Sequence, residues 1–176
     1  PVDMYVGGTE HATRHLIYAR FWHKFLFDCG VVHSEEPFLC LKNQGLILGE
    51  DGRKMSKRYG NVVNPDDVVE RFGADTLRVY EMFMGPFEEG QAWSTDNMIG
   101  SRRFLEKVWR LAEKCGTETP TDNLRILHQT IKKVTDDIEL FKFNTAISQM
   151  MIAASAFEAS GISRDDLRIF LTILAP

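Results

Sequence analysis

Four positive charges fall within six consecutive positions of this sequence, at Arg53, Lys54, Lys57 and Arg58. Like charges at this spacing repel one another, and a polyphosphate relieves that repulsion because its oxygens accept several charge-assisted hydrogen bonds at once. The segment follows the turn at residues 50–52, so it is predicted to be a loop. The charge count alone favours a solvated basic loop, and the order of the residues has to distinguish the two interpretations.

A second group of polar side chains lies near the N-terminus. The pair Gly7-Gly8 lets the backbone approach a ribose or a phosphate, and the helix predicted to follow offers unpaired N–H groups. Glu10 can accept hydrogen bonds from ribose hydroxyls, and His11 and His15, four positions apart, share one helix face. A pair of packed, hydrogen-bonded histidines is the structural alternative. No metal site is predicted, because the order is not His-Glu-x-x-His and no further ligand stands at a recognisable spacing.

The stretch KMSKRYGN at residues 54–61 resembles the KMSKS loop of the class I aminoacyl-tRNA synthetases. The resemblance implies that Lys54 and Lys57 hold the β- and γ-phosphates of ATP and stabilise the charge on the departing pyrophosphate. Arg58 stands where this family usually has serine, so no hydroxyl contact is expected from that position. Catalysis would be positional and electrostatic, with Mg²⁺ accompanying ATP as substrate and with no bound prosthetic group.

The stretch YVGGTEHATRHLIYARF at residues 5–21 is similar to the leucyl-tRNA synthetases within that class. This resemblance implies that Gly8 and Glu10 contact the adenosine part of the adenylate. It also implies that His11 and His15 line the pocket for the leucine side chain, with neither acting as a general base. The full set of nucleotide-binding residues implied in this way is Gly8, Glu10, Gln44, Lys54, Met55, Ser56 and Lys57.

The resemblance continues through residues 64–78, 103–109 and 143–148, and it therefore covers almost the whole chain. These later stretches are mainly structural. A basic cluster lies on the helix that opens the second half of the chain, where the bundle of this family meets tRNA. The residues of the cluster are Arg102, Arg103, Lys107 and Arg110, with Lys114 beyond them. A solvated helix face is an equally good interpretation of the cluster.

The first half of the chain has mixed elements. A strand at residues 2–6, a glycine turn and a helix capped by Thr9 are followed by short strands at 38–41 and 45–48. Two helices follow the basic loop, the first of them capped by Asn64. The prediction is an α/β segment over residues 1–86, which the resemblance identifies as the C-terminal part of a Rossmann-like catalytic domain.

Gly85-Pro86 predicts a domain boundary, because a helix cannot continue through it. Residues 87–176 carry apolar stripes at helical spacing, with predicted helix starts at Asn144 and at Ser163. They predict an incomplete up-and-down bundle, identified by the resemblance as the anticodon-binding domain, so that the chain is predominantly α-helical.

Composition excludes several classes of protein. The 176 residues hold 21 Lys and Arg against 25 Asp and Glu, so the net charge of −4 does not describe a polycation that wraps nucleic acid. Three cysteines without a CxxC pair, no apolar run of membrane-spanning length and no secretory signal favour a cytoplasmic protein without membrane contact. No obligate protein partner is evident.

The resemblance implies a fragment of a leucine-tRNA ligase, which activates leucine with ATP and transfers it to tRNA(Leu). The sequence contains no HIGH-like element and no room for an editing domain, so we expect the chain alone not to form leucyl-adenylate. A helical module that binds tRNA or other RNA without catalytic activity of its own is the alternative. A metallohydrolase would require stoichiometric zinc.

Overall fold

The computed structural model describes all 176 residues and shows a helix-rich chain with four strands of two residues each. This confirms the prediction of a predominantly α-helical chain. The elements in chain order are β1 (Tyr5–Val6), α1 (Ile17–Asp28), β2 (Leu41–Lys42), β3 (Ile47–Leu48), α2 (Pro65–Phe72), α3 (Ala74–Phe83), β4 (Gln91–Ala92), α4 (Thr95–Lys114), α5 (Thr121–Glu139), α6 (Phe143–Ser160) and α7 (Arg164–Leu174).

The strands form two separate parallel pairs, β1 with β2 and β3 with β4. They are shorter than the predicted runs, because only the residues that face a partner backbone form ladder hydrogen bonds. The pairing of Ile47 with Gln91 brings the segment before the basic loop against the segment that leads into α4. The boundary expected after Pro86 stays a prediction.

The N-terminal helix begins differently from the prediction. Gly8, with φ −67° and ψ 152°, is the N-cap, and no side chain caps the start, because Thr9 already lies in the first helical turn. Residues 9–11 form a 3₁₀ turn and residues 12–16 a π-helical turn before the regular α1 begins. Such π turns occur frequently at functional sites.

Gly30 ends this helix, as the sequence predicts. Its φ of +71° is the left-handed conformation that glycine adopts without strain. The Gly30 N–H donates to the Phe27 carbonyl at 2.9 Å, and the Val31 N–H donates to the Leu26 carbonyl at 2.9 Å. These two bonds are the Schellman pattern of a helix C-terminus.

Two of the predicted caps are confirmed. The side-chain oxygen of Asn64 accepts from the Asp66 N–H at 3.2 Å at the start of α2. The hydroxyl of Ser163 accepts from the Asp166 N–H at 3.2 Å at the start of α7. Each bond satisfies one of the backbone donors that a helix leaves free in its first turn.

The predicted cap at Asn144 is wrong, because α6 begins one residue earlier, at Phe143, with Lys142 in the N-cap position. Phe141 reverses the chain with a φ of +59°, which is uncommon for a bulky residue. The Lys142 N–H then donates to the Asp137 carbonyl at 2.7 Å. The start of α6 is therefore set by its connection to α5 rather than by a local side-chain cap.

The apolar residues bury into two separate cores. The larger core lies among α4, α5, α6 and α7, which confirms the predicted helical bundle. The smaller core comprises Val68, Leu77, Tyr80, Trp93 and Met98 and draws on α2, α3 and the start of α4. Parallel β3 and β4 run beside this smaller core, which therefore supports the base of the basic loop.

Helix α1 packs against little of the chain. None of its residues is buried, and five of its large apolar side chains are exposed by about half or more. These side chains are Ile17, Tyr18, Phe21, Trp22 and Phe25. No helix in the chain has the length and apolar character needed to cross a membrane.

Candidate functional site

The basic loop, residues 53–60, projects from a tight turn. The Gly49 N–H donates to the Arg53 carbonyl at 2.8 Å, and Leu48 forms an isolated antiparallel bridge with Lys54. Gly52 supplies the φ of +72° that the turn requires. The loop therefore begins at a fixed point directly after β3.

Asn61 closes the loop from its other end. Its side-chain oxygen accepts from the Ser56 N–H at 2.8 Å, and its amide nitrogen donates to Asp51 Oδ1 at 3.0 Å and to the Lys54 carbonyl at 3.4 Å. The Asn61 amide, followed by the Arg53 N–H and guanidinium, lowers the pKa of Asp51 to about 2. Asp51 is therefore ionised at neutral pH, and its charge helps to hold the loop.

The four loop cations differ in their partners. Arg53 forms an ion pair with Asp51 at 2.7 Å, and its guanidinium lies 4.8 Å from the centre of the Tyr59 ring. Lys54, Lys57 and Arg58 are exposed, and their side chains form no hydrogen bond or ion pair within the chain. Three positive charges therefore remain available to an anion from outside.

Met55 and Ser56 lie between the two lysines and are partly buried. Met55 packs against the smaller core, which anchors the middle of the loop. The Ser56 hydroxyl accepts from the Arg58 N–H at 3.2 Å, so one of its lone pairs is already in use. The partly buried Met55 faces the smaller core, whereas Lys54 and Lys57 are exposed, so the loop has an anchored inner side and a charged outer side.

At the N-terminus the backbone and side chains pack closely around Gly8. A Cβ at this position would lie 2.6 Å from Glu10 Oε1, so the Glu10 carboxylate occupies the space that any larger residue would need. The rings of His11 and His15 lie 6.1 Å apart between centres, which confirms that they share a face. The chain contains no group of three or more side chains placed to hold a metal ion.

Two aromatic residues that the sequence reasoning missed extend this histidine face. Tyr5 stacks on His15 at 5.7 Å between ring centres, and Phe38 lies 4.5 Å from Tyr5. Tyr5 belongs to β1, and Phe38 lies just before β2, so the parallel pairing of these strands brings them together. The only local signal was the alternation around Tyr5, because the pairing partner lies more than thirty positions away.

A cleft of about 570 Å³ connects the N-terminal turn with the segment before β3. Its walls comprise Thr9, Leu41, Asn43, Gln44, Gly45, Leu46, Leu48, Glu88 and Gly90. Gln44 is the one predicted site residue among them, while Thr9 is the sequence neighbour of Gly8 and Glu10. The side-chain oxygen of Asn43 is buried here without a hydrogen-bond partner. The predicted lysines do not line this cleft.

The cations of the predicted cluster on α4 are mostly engaged within the chain. Arg102 pairs with Glu106 at 2.9 Å and also donates to the Phe72 carbonyl at 3.3 Å, which joins α4 to the end of α2. Lys107 and Arg110 both reach Glu158 on α6, each at 3.3 Å. Arg103 is exposed and has no hydrogen bond or ion pair of its side chain.

Solved structures of two synthetases have the same fold. The chain superposes on a LeuRS from Agrobacterium radiobacter K84, solved as a ternary LeuRS-tRNA-LeuAMS complex, with a TM-score of 0.87 and 36% sequence identity. The match covers 99% of this chain and 26% of that one, so the chain spans about a quarter of the length of this relative.

Two structures of Mycobacterium tuberculosis methionyl-tRNA synthetase with methionyl-adenylate match with TM-scores of 0.66 and 0.67. In both, the sequence identity is 18%, and the match covers 99% of this chain and 38% of the synthetase. At this identity the likeness concerns the fold alone.

The family comparison agrees with the fold. Residues 1–94 match the family described as tRNA synthetases class I (I, L, M and V). This range is more than half of the chain and contains the basic loop, the cleft and the histidine face. The chain therefore belongs to the class I aminoacyl-tRNA synthetases of the isoleucine, leucine, methionine and valine group.

Proposed function

We propose that this chain forms part of a leucine-tRNA ligase and that its basic loop binds the phosphates of ATP. The observation that carries the proposal is the set of three exposed cations without partners, at Lys54, Lys57 and Arg58. They lie on a loop that Asn61 and Met55 hold in place. Because the loop backbone is already held in place, binding of a polyphosphate has to order only the side chains of these cations.

In this proposal Lys54 and Lys57 contact the β- and γ-phosphates, and Mg²⁺ accompanies the nucleotide as part of the substrate. The leucine carboxylate attacks the α-phosphorus, the bond to the bridging oxygen breaks, and pyrophosphate leaves with its added charge. Lysine ammonium groups stabilise that charge electrostatically. No covalent protein nucleophile takes part.

The cleft between the N-terminal turn and the segment before β3 is the proposed adenosine site. Gly8 and Glu10 flank its lining residue Thr9 in the sequence, and Gln44 also lines the cleft. Gly8 is buried beneath the Glu10 carboxylate, which occupies the space that a side chain would need, and this carboxylate can accept bonds from ribose hydroxyls.

The face formed by His11 and His15 is the proposed wall of the leucine pocket. The stacking of Tyr5 on His15 supports this role, because it holds one imidazole in a fixed orientation. Leucine rather than methionine is supported by the 36% identity to LeuRS against 18% to methionyl-tRNA synthetase. Discrimination among small apolar side chains is worth only about 1–3 kcal/mol in such a pocket.

We propose the division of the chain at residue 86, with residues 1–86 in the catalytic domain and residues 87–176 in the tRNA-binding bundle. The basic face of α4 is the proposed tRNA contact, with Arg103 as the cation that needs no rearrangement. The other three cations of this face could contact a tRNA phosphate only by sharing or giving up their ion pairs with Glu106 and Glu158; they are Arg102, Lys107 and Arg110.

Binding to the chain itself tests the phosphate role. We expect the double substitution of Lys54 and Lys57 by alanine to weaken ATP binding at least about 10-fold by isothermal titration calorimetry, because two charge-assisted contacts are lost. Lys132→Ala, at an exposed lysine of α5 without a partner, is the matched control and should leave the Kd unchanged. Equal affinities for the wild type and the double variant would contradict the proposal.

Leucine specificity needs a separate measurement. We expect a leucyl-adenylate analogue to bind more tightly than the matched methionyl-adenylate analogue, and Tyr5→Leu to reduce the difference. Equal affinity for both analogues would leave the ATP role intact and remove the assignment of leucine.

A bundle that binds RNA without catalysis is the second candidate, and the separate core of α4–α7 supports it. It predicts tRNA affinity that falls steeply with salt and no binding of adenylate analogues.

A further inference from the structure

Glu50 makes a contact between two segments of the chain that are 45 positions apart. Its carboxylate oxygen Oε1 accepts from the hydroxyl of Thr95 at 3.0 Å and from the Thr95 N–H at 3.3 Å. Glu50 begins the turn before the basic loop, and Thr95 is the first residue of α4. A carboxylate at a helix N-terminus is also favoured by the helix dipole.

Thr95 is itself held in one orientation. Its hydroxyl accepts from the Trp93 indole N–H at 3.1 Å while it donates to Glu50. Trp93 is 5% exposed and packs edge-to-face against Tyr80, whose hydroxyl accepts from the Ser94 N–H at 2.8 Å. The partner of Glu50 is therefore fixed by the smaller core and cannot follow the loop if the loop moves.

The same turn connects directly to the lysines. Asp51, the next residue, bonds to Asn61, and Asn61 bonds to the backbone at Lys54 and Ser56. A Cβ at Gly49 would lie 2.7 Å from Asn61 Nδ2, so this turn packs without space to shift. A displacement of Glu50 is therefore transmitted to the backbone of the basic loop through Asp51 and Asn61.

We infer that Glu50 is a positioning residue, which acts through Thr95 to hold Lys54 and Lys57 in the geometry that binds a triphosphate. The inference deepens the proposed ATP role and rests on it. Three unpaired like charges disfavour a compact loop, and an anchor at the base opposes that repulsion. The Glu50–Thr95 bond supplies this anchor and also ties the loop to the helix that carries the proposed tRNA contacts.

The test measures tripolyphosphate binding to the full chain by isothermal titration calorimetry at fixed ionic strength. We expect Thr95→Val to weaken the Kd about 3- to 10-fold, because a hydrogen bond to a charged acceptor is lost and only part of its effect reaches the lysines. Thr95→Ser, which keeps the hydroxyl, should restore wild-type affinity. Thr135→Val, at an exposed threonine of α5 whose hydroxyl bonds only to its own helix, is the matched control.

The variants of Glu50 separate positioning from charge. Glu50→Gln keeps an acceptor oxygen and removes a negative charge, so its affinity should equal or exceed that of the wild type. Glu50→Leu removes both bonds to Thr95, those from its hydroxyl and from its N–H, so adding Thr95→Val to Glu50→Leu should weaken binding no further than Glu50→Leu alone. Additive effects, or a Thr95→Val variant that is folded and binds like the wild type, would overturn the inference.

The outcome also distinguishes this inference from the proposed function. If alanine at Lys54 and Lys57 abolishes tripolyphosphate binding while Thr95→Val does not affect it, the ATP role stands and the positioning role fails. If alanine at both lysines leaves binding unchanged, both fail.

Discussion

Gly45 lies where the chain enters β3, and its lack of a side chain allows two backbone segments to meet. Its N–H donates to the Phe87 carbonyl at 2.8 Å. A Cβ at this position would overlap the carbonyl oxygen of Glu89 and lie 2.7 Å from the Gly90 nitrogen. Gly45→Ala therefore cannot be accommodated by rotating a side chain, and the segment before β4 has to move.

The cost follows from these contacts. Overpacking against backbone costs about 1–3 kcal/mol. The displacement also strains or breaks the bonds that join the two segments, those from Gly45 to Phe87 and from Gln91 to Leu46, at about 1 kcal/mol each. We expect Gly45→Ala to lower the free energy of unfolding by about 3 kcal/mol.

Urea unfolding measures this change, with circular dichroism reporting on the helices. Trp93 fluorescence, recorded in a background where Trp22 and Trp109 are replaced by phenylalanine, reports on the smaller core beside β4. With a slope of about 2 kcal/mol per molar urea, the expected shift of the midpoint is roughly 1.5 M downward. Gly45 also lines the cleft proposed for adenosine, so the variant should bind the adenylate analogue more weakly than the wild type.

Gly100→Ala is the matched control, because it adds the same methyl group. Gly100 is exposed within α4, and a Cβ there would meet nothing within 4 Å. Alanine has the higher helix propensity, so this variant should gain about 1 kcal/mol. If Gly45→Ala unfolds at the wild-type midpoint, or if Gly100→Ala is the less stable of the two, the reasoning from the backbone contact is refuted.

Three further outcomes are expected. Phe21→Glu on the exposed apolar face of α1 should lower self-association of the chain in sedimentation velocity, because that face has no partner within the chain. A wild-type chain that is monomeric at high concentration would contradict this. The pKa of Asp51, measured by carbon NMR, should rise from about 2 toward 3.8 in Asn61→Ala, since the amide that stabilises the carboxylate is lost. The stability that Asp51 contributes is thus present above its unfolded pKa of 3.8 and lost as the pH falls through about 2, and an unchanged pKa in the variant would exclude the amide as the main cause. Burial raises the pKa of Glu81 above its usual 4.5, so Glu81→Gln should raise the Tm at about pH 7. This gain should disappear at about pH 3.5, where the carboxyl is protonated in both the folded and the unfolded state. An equal gain in Tm at both pH values would argue against the burial of the charge.

The parts of the fold that depend on neighbouring residues were predictable. The caps at Asn64 and Ser163, the end of α1 at Gly30 and the four helices of the bundle follow from side chains and spacings within one or two turns. The wrong start of α6 at Asn144 has the opposite cause, because the connection to α5 decides it. Predictions from local sequence fail where a distant contact sets the backbone.

The same distinction between local and distant contacts applies to the candidate site. The order of the residues from 54 to 61 indicated the loop and its family, and the family comparison confirms membership in class I. The sequence did not indicate that Asn61 closes the loop or that Tyr5 stacks on His15. Nor did it separate the free cation Arg103 from Arg102, which α2 and Glu106 engage.

The sequence by itself therefore determined which side chains carry charge, the starts of α2 and α7 and the end of α1. Tertiary structure alone decided which charges are neutralised, because ion-pair partners such as Lys107 and Glu158 lie on different helices. It also decided where the basic loop is anchored, since Glu50 and Thr95 meet only after β3 and β4 have paired. Helix caps act over a few residues of covalent chain, whereas these contacts depend on the packing of segments that are distant in sequence.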